Sequence, residues 1–282
     1  MSINILFYGN CQCNAIRLVL NLPSNYNIFS IECFSTNIES DEFTNIVKKS
    51  NIIITQPIHD NYRNKDYLST KYIINNKNND CKIILFNPLY FNYYYFDLNY
   101  KKINNDEILK TPIDYHYNDM ITSYKLNLPI EKYFEYYVDN MYYKNNDDLT
   151  KIANESLDEL DNRYQIMINE YVNNNSNIIP IYITDFIKNN YKEILLFYSM
   201  NHPSKYLFHF ITHEIIKILN IENTIDYNID PLDNPKCILY KCIQNSVNFD
   251  INDHQSVTLD KNGNYEITKL YFESYKDNNI KF

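Results

Sequence analysis

The chain has 282 residues, of which 45% are hydrophobic and 22% charged, and a formal net charge of −9. That length and apolar content describe a globular protein with a sizeable core, and the acidic balance excludes general nucleic-acid binding, which needs a basic face. Six scattered cysteines without zinc-ribbon spacing, no signal-peptide pattern and no apolar run of membrane length predict reduced thiols, no metal, no membrane span and a cytoplasmic location.

In chain order, Ile3 to Tyr8 reads as a buried strand, and Cys11 to Leu22 as a helix with Ile16, Val19 and Leu20 on one face. Asn27 to Phe34 is a second strand. Ser40 to Lys49 is a helix that opens on Ser-Asp-Glu and closes on Lys-Lys, as the helix dipole favours. Asn51 to Thr55 is a third strand, Lys65 to Ile74 a helix and Cys81 to Phe86 a fourth strand. This alternation predicts an α/β fold, a mostly parallel sheet with helices on both faces.

From about residue 118 the pattern turns helical: Asp119 to Lys125, Glu131 to Met141 and a long amphipathic stretch from Asp148 to Val172. We read residues 118–175 as a helical insertion or cap in a single α/β domain, and 221–282 as a C-terminal extension. The α/β pattern resumes with a strand at Glu193 to Ser199 and a helix at Ser204 to Leu219. Asn262-Gly263 predicts a hairpin turn between "SVTL" and "YEITKLYF".

Only two glycines occur, and Gly9 stands directly between the first strand and Asn10-Cys11-Gln12. Glycine there permits a sharp turn or a close approach. The polar residues fall on the first helical turn, where free N–H groups and the dipole favour negative charge. A thiol at Cys11 is expected to have a depressed pKa, and the same N–H groups form a candidate oxyanion or phosphate site. A structural role fits equally well, with Asn10 as helix cap and Cys11 as a small buried hydrophobe. The stretch Asn201-His202-Pro203 repeats the arrangement after the later strand, which would bring Cys11 and His202 to one sheet edge as a nucleophile–base pair. His209 and His213 lack the metalloprotease order and read as a satisfied surface pair.

Gly9-Asn10-Cys11-Gln12, Gln56 after the third strand, the His116 region opening the helical section, and Asn201-His202-Pro203 occur in an order that resembles the WcbI family of polysaccharide-biosynthesis proteins, regarded as acetyltransferases that bind coenzyme A. The similarity spans roughly residues 3 to 220. It implies an acyl-coenzyme A-dependent acetyltransferase acting on a sugar or nucleotide-sugar acceptor, with acetyl-coenzyme A as donor. The family's motif carries onto Asn10, Cys11 and Gln12, and onto Asn201 and His202; we assign Asn10, Cys11 and His202 to catalysis, Gly9 and Gln12 to coenzyme A, and Gln56, His116 and Asn201 to the substrate. Arg17 and Lys205 are the cations we assign to the coenzyme A phosphates; an ordinary solvated helix face is the other reading of both. The Gly9-Asn10-Cys11 block also resembles the Gly-Asp-Ser block of GDSL/SGNH hydrolases, with cysteine in place of serine and without their late Asp-x-x-His block. A cysteine-variant esterase and a non-catalytic glycan- or nucleotide-binding protein are therefore the alternative functions.

Overall fold

Short apolar runs separated by capped amphipathic segments set the architecture of the chain. The computed structural model describes residues 2–34, 38–102, 107–173, 175–222, 225–234, 236–250, 260–278 and 280. Strand β1 (Ile3–Gly9) leads through Asn10 into helix α1 (Cys11–Val19). The alternation continues with β2 (Tyr26–Glu32), α2 (Ser40–Lys49), β3 (Ile52–Thr55), α3 (Thr70–Asn76) and β4 (Lys82–Phe86). Short strands β5 (Leu98–Tyr100) and β6 (Tyr115–Tyr117) precede helices α4 (Asn118–Lys125), α5 (Ile130–Tyr133) and α6 (Asn146–Met167). Helices α5 and α6 each run on as a π-helical turn, over Phe134–Val138 and Ile168–Val172. Then come β7 (Ile178–Ile181), α7 (Thr184–Asn190), α8 (Lys205–Leu219), α9 (Lys241–Gln244) and α10 (Lys261–Asp277).

These elements belong to two compact units. The first comprises Met1–Leu89, Asp158–Ile187 and Pro203–Leu232; the second comprises Tyr90–Leu157, Lys188–His202 and Asp233–Phe282. The division falls within α6.

The first unit is an α/β layer around a five-stranded, fully parallel sheet of order β2-β1-β3-β4-β7. The central strands are buried on both faces, as their unbroken Ile, Leu and Phe content requires. One face carries Leu6, Tyr8, Ile53, Ile83 and Leu85 against Phe43 and Val47 of α2 and Ile73 of α3, with the Tyr8 and Phe43 rings 4.9 Å apart. Alternation sends Ile5 and Phe7 to the opposite face. Because β1 connects outward to β2 and β3 lies on its other side, the chain reverses direction between β1 and β3. The carboxyl ends of these two strands flank the crevice where open α/β sheets bind ligands.

Two expected elements are replaced. Glu193 to Ser199 make no sheet strand; the fifth strand is β7, "IIPI". Pro180 argues against a strand by sequence, but β7 is the sheet edge, where a residue without an N–H is tolerated. Leu195 to Tyr198 are buried, yet their peptide groups are met outside any sheet: Leu196 N–H donates to the Tyr94 hydroxyl at 3.4 Å and Tyr198 N–H to the His202 carbonyl at 2.8 Å. A short apolar run reports burial, and a strand only when a neighbour pairs with it. The Asn262-Gly263 hairpin is also corrected. Both residues lie in the first turn of α10, where the Asp260 carboxylate accepts the Gly263 N–H at 2.7 Å. That cap and the buried stripe Asn264, Thr268, Tyr271, Phe272, Tyr275 outweigh the local turn signal. The preceding "SVTL" lies outside the described residues.

The second unit is helical around the two-stranded antiparallel sheet β5-β6, and its core is rich in tyrosine. Buried phenols retain partners, as their hydroxyls demand: Tyr117 accepts the Ile238 N–H at 2.6 Å, and Tyr271 donates to the Tyr115 carbonyl at 2.6 Å. At its centre Asp97, 8% exposed, accepts the Asp119 N–H and, at 2.9 Å, the Tyr240 hydroxyl. The Tyr240 hydroxyl is 2.8 Å from that of Tyr133, and Tyr143 donates to the Asp119 carboxylate. Burial first, and then the Asp119 charge, push the Asp97 carboxyl well above the usual carboxylate range.

The folded chain therefore holds a proton on Asp97 that the unfolded chain releases above about pH 4. Stability from this group is complete below that pH and is lost as pH rises through the folded value, by up to about 1.4 kcal/mol per pH unit. Asp97→Asn, which mimics the protonated acid, is expected to flatten this loss relative to the native chain. Urea unfolding at a series of pH values from 4 to 8 reads the difference directly.

Candidate active site

The first unit presents four of the predicted residues at the carboxyl ends of β1 and β3. Asn10 caps α1, its side-chain oxygen accepting the Gln12 N–H at 2.9 Å. Gln56, at the end of β3 and 2% exposed, accepts the Asn10 N–H at 3.0 Å and donates to Gln12 Oε1 at 3.1 Å. Gln12, 1% exposed, passes the chain on: its Nε2 donates to the Leu89 carbonyl and its Oε1 accepts the Leu89 N–H, both at 2.9 Å. The orientation of both amides follows from their ends, since the Asn10 N–H must donate and the Leu89 carbonyl must accept. Gln12 and Gln56 thus secure the site by holding three strand ends together.

This network explains Gly9. A Cβ there would lie 2.7 Å from Gln56 Oε1 and 3.0 Å from Cys13 Cβ. The backbone conformation is ordinary strand; the closeness of the Gln56 amide is what excludes a side chain.

Cys11 opens α1 and is partly exposed, whereas the other five cysteines are buried. Its backbone surroundings follow the expectation, since the N–H groups of Cys11 and Gln12 favour the thiolate. The net direction does not. Burial pushes the Cys11 thiol up, and the nearby Glu32 carboxylate adds to it, so the expected depressed pKa is overturned. Glu32 ends β2, beside Gly9 in the sheet register, and accepts from Asn14 at 3.4 Å. Nothing in the sequence marks Glu32 as a neighbour of the thiol, because only strand pairing brings β2 alongside β1.

The two cations assigned to phosphates separate. Arg17 lies in the last turn of α1 with its Nε on Asn14 Oδ1 at 3.0 Å, about 9 Å along the axis from Cys11 at 1.5 Å per residue. Lys205 begins α8. The Ile218 carbonyl near the end of α8 accepts from Lys82 Nζ at the start of β4, so α8 runs with its first turn toward the carboxyl edge of the sheet, the edge that carries Cys11. The Lys205 N–H donates to Asp230 at 3.1 Å, and its ammonium lies 5.7 Å from the Tyr206 ring centroid.

The remaining predicted residues lie in the second unit. His202 Nδ1 is 2.8 Å from the Asn234 carbonyl, so that nitrogen carries the proton and Nε2 keeps its lone pair. Nε2 is 3.2 Å from the Tyr115 hydroxyl, which donates to Asn201 Oδ1 at 2.8 Å. Asn201 Nδ2 in turn donates to the Tyr100 hydroxyl at 3.0 Å. Burial lowers the His202 pKa and keeps the ring neutral. Tyr100 and Tyr115 are neighbours of Asn201 and His202 that the sequence does not single out, in a chain where 29 tyrosines hide any single one. His116 is 1% exposed, with its two nitrogens on the Tyr275 hydroxyl and the Leu109 carbonyl, as in a structural histidine. His209 departs from the expected satisfied surface pair: its Nε2 is buried without a partner among the described residues, and its ring packs edge-on to Tyr227.

Two outcomes test this geometry. Gly9→Ala is expected to destabilise the chain by about 1–3 kcal/mol, the usual cost of overpacking a closed site, measured by urea denaturation. Glu32→Gln removes a negative charge beside the thiol and is expected to speed iodoacetamide labelling of Cys11 at neutral pH, because the thiolate fraction rises.

Among the described residues, no helix is long and apolar enough to cross a membrane, and no group of three or more His, Cys, Asp or Glu side chains is placed to hold a metal ion. A sequence search of curated proteins finds no match. A search of solved structures finds WcbI, described as a novel polysaccharide biosynthesis enzyme, as native protein without a disulfide bond between coenzyme A and one of its cysteines. The similarity has a TM-score of 0.80 at 20% sequence identity and covers 98% of this chain and 91% of that one. Residues 4–224 match the family of the polysaccharide biosynthesis enzyme WcbI, and the chain therefore belongs to the WcbI family of polysaccharide biosynthesis enzymes.

Proposed function

We propose that the protein is an acyl-coenzyme A-dependent transferase that acetylates a sugar or nucleotide-sugar, with coenzyme A engaged beside Cys11. The observation that carries this reading is the position of Cys11: the one partly exposed thiol of six, on the first turn of α1 at the reversal point of a parallel sheet. The structurally similar WcbI, described as native protein without a disulfide bond between coenzyme A and one of its cysteines, supports it.

The thiol's raised pKa favours direct transfer over an acyl-cysteine intermediate. Cys11 then lines the thioester site as a neutral thiol. The acceptor hydroxyl attacks the thioester carbonyl, the C–S bond breaks, and the coenzyme A thiolate leaves with the electron pair. For the oxyanion donor we propose Asn10 Nδ2, since its Oδ1 is held by the cap. For the general base we propose His202, whose neutral ring presents the Nε2 lone pair while Nδ1–H is fixed on Asn234.

Coenzyme A is expected to raise the melting temperature in a concentration-dependent way, by the equivalent of about 2.7 kcal/mol at a hundredfold excess over Kd. No shift at saturation overturns the reading. In a thiol-release assay with acetyl-coenzyme A and a sugar acceptor, His202→Gln is expected to lower turnover about 10²–10⁴-fold with the coenzyme A shift retained.

A further inference from the structure

The second unit contains a cavity of about 380 Å³ at the head of α10, within the range of small-molecule sites, roughly 300–1,000 Å³. Its walls come from α9, the first turn of α10 and the π-helical turn after α5. Helices α9 and α10 lie beyond the residues matched to the family. Asn264 lines the cavity and is 2% exposed, and its Oδ1 has no hydrogen-bond partner among the described residues. A buried carbonyl oxygen without a donor is costly, and an occupant that supplies an O–H or N–H removes the cost.

The charges around Asn264 narrow the occupant. Lys261 pairs with Asp139, and Lys241, Asp250 and Asp260 share the lining. Two ammonium groups disfavour a polycation, and three carboxylates disfavour a phosphate. One Asp260 oxygen is already committed to the Gly263 N–H. Phe134 and Phe249 add apolar ring surface to the same walls. A donor-rich, uncharged molecule with an apolar C–H face meets all of these features.

We infer that this cavity binds a neutral polyhydroxylated ring, a sugar unit, through Asn264 and the phenyl faces. The inference is independent of the transferase reading, because none of its residues takes part in that chemistry.

Saturation-transfer NMR on the full chain tests it with methyl glucoside, methyl galactoside and N-acetylglucosamine as neutral probes, and with inorganic pyrophosphate and putrescine as charged ones. Saturable binding of at least one sugar is expected, weakened at least tenfold in Asn264→Leu and in Phe249→Ala, with the coenzyme A melting shift unchanged in both. Should Asn264→Leu fail to fold, Phe249→Ala and Gln244→Ala on the cavity wall carry the same comparison. No sugar binding, equal binding in the folded variants, or tighter binding of a charged probe overturns the assignment.

Discussion

A relay of two buried carboxamides governs the first unit. The Asn10 N–H, the Gln56 amide, the Gln12 amide and the Leu89 peptide form one continuous hydrogen-bonded line across the ends of β1, β3 and β4. The two side-chain amides are buried, so both must be paired. A carboxylate at either position would lack the N–H₂ that the relay needs, and an apolar residue would strand the backbone groups at both ends. Gly9 follows from the same constraint, since the Gln56 oxygen occupies the space a Cβ would take. The partial exposure of Cys11 follows in turn, because the relay fixes the turn from β1 into α1.

Competing electrostatic effects meet at the thiol, and their magnitudes decide its charge. The N–H groups at the start of α1 favour a thiolate, but burial and Glu32 outweigh them. A helix terminus contributes about 0.3–1 kcal/mol at an exposed site, and desolvation of an anion exceeds that readily. His202 shows the same ordering of effects. Its hydrogen bond to Asn234 raises the pKa, burial lowers it further than that, and the ring stays neutral. Both groups are thus held uncharged.

In the second unit, a core built of tyrosine must satisfy hydroxyls as well as fill volume. Asp97, Asp119, Tyr133, Tyr143 and Tyr240 do this as one connected group, and the cost is a carboxyl held protonated where water would ionise it. The abundance of tyrosine in the composition is therefore structural at these positions, and the Tyr100–Tyr115–Asn201–His202 set uses the same phenols to orient an imidazole.

The local grammar of the chain determined much of this protein. Apolar runs at 3–8, 51–55 and 81–86 became parallel strands because no amphipathic alternative competes with them, and the capped segments between them became helices. The Gly9-to-Gln12 turn and the family itself were legible there. Tertiary structure decided what depends on residues far apart in sequence. It made β7 the fifth strand in place of 193–199, since strand identity rests on a pairing partner. It drew Asn262-Gly263 into α10, since a cap and a buried stripe outweigh a two-residue turn signal. It reversed the expected shift at Cys11, because the carboxylate of Glu32 and the depth of burial exist only once β2 lies beside β1. Propensity and periodicity act over a few neighbouring residues, whereas desolvation and charge act through space, and space is defined only by the folded chain.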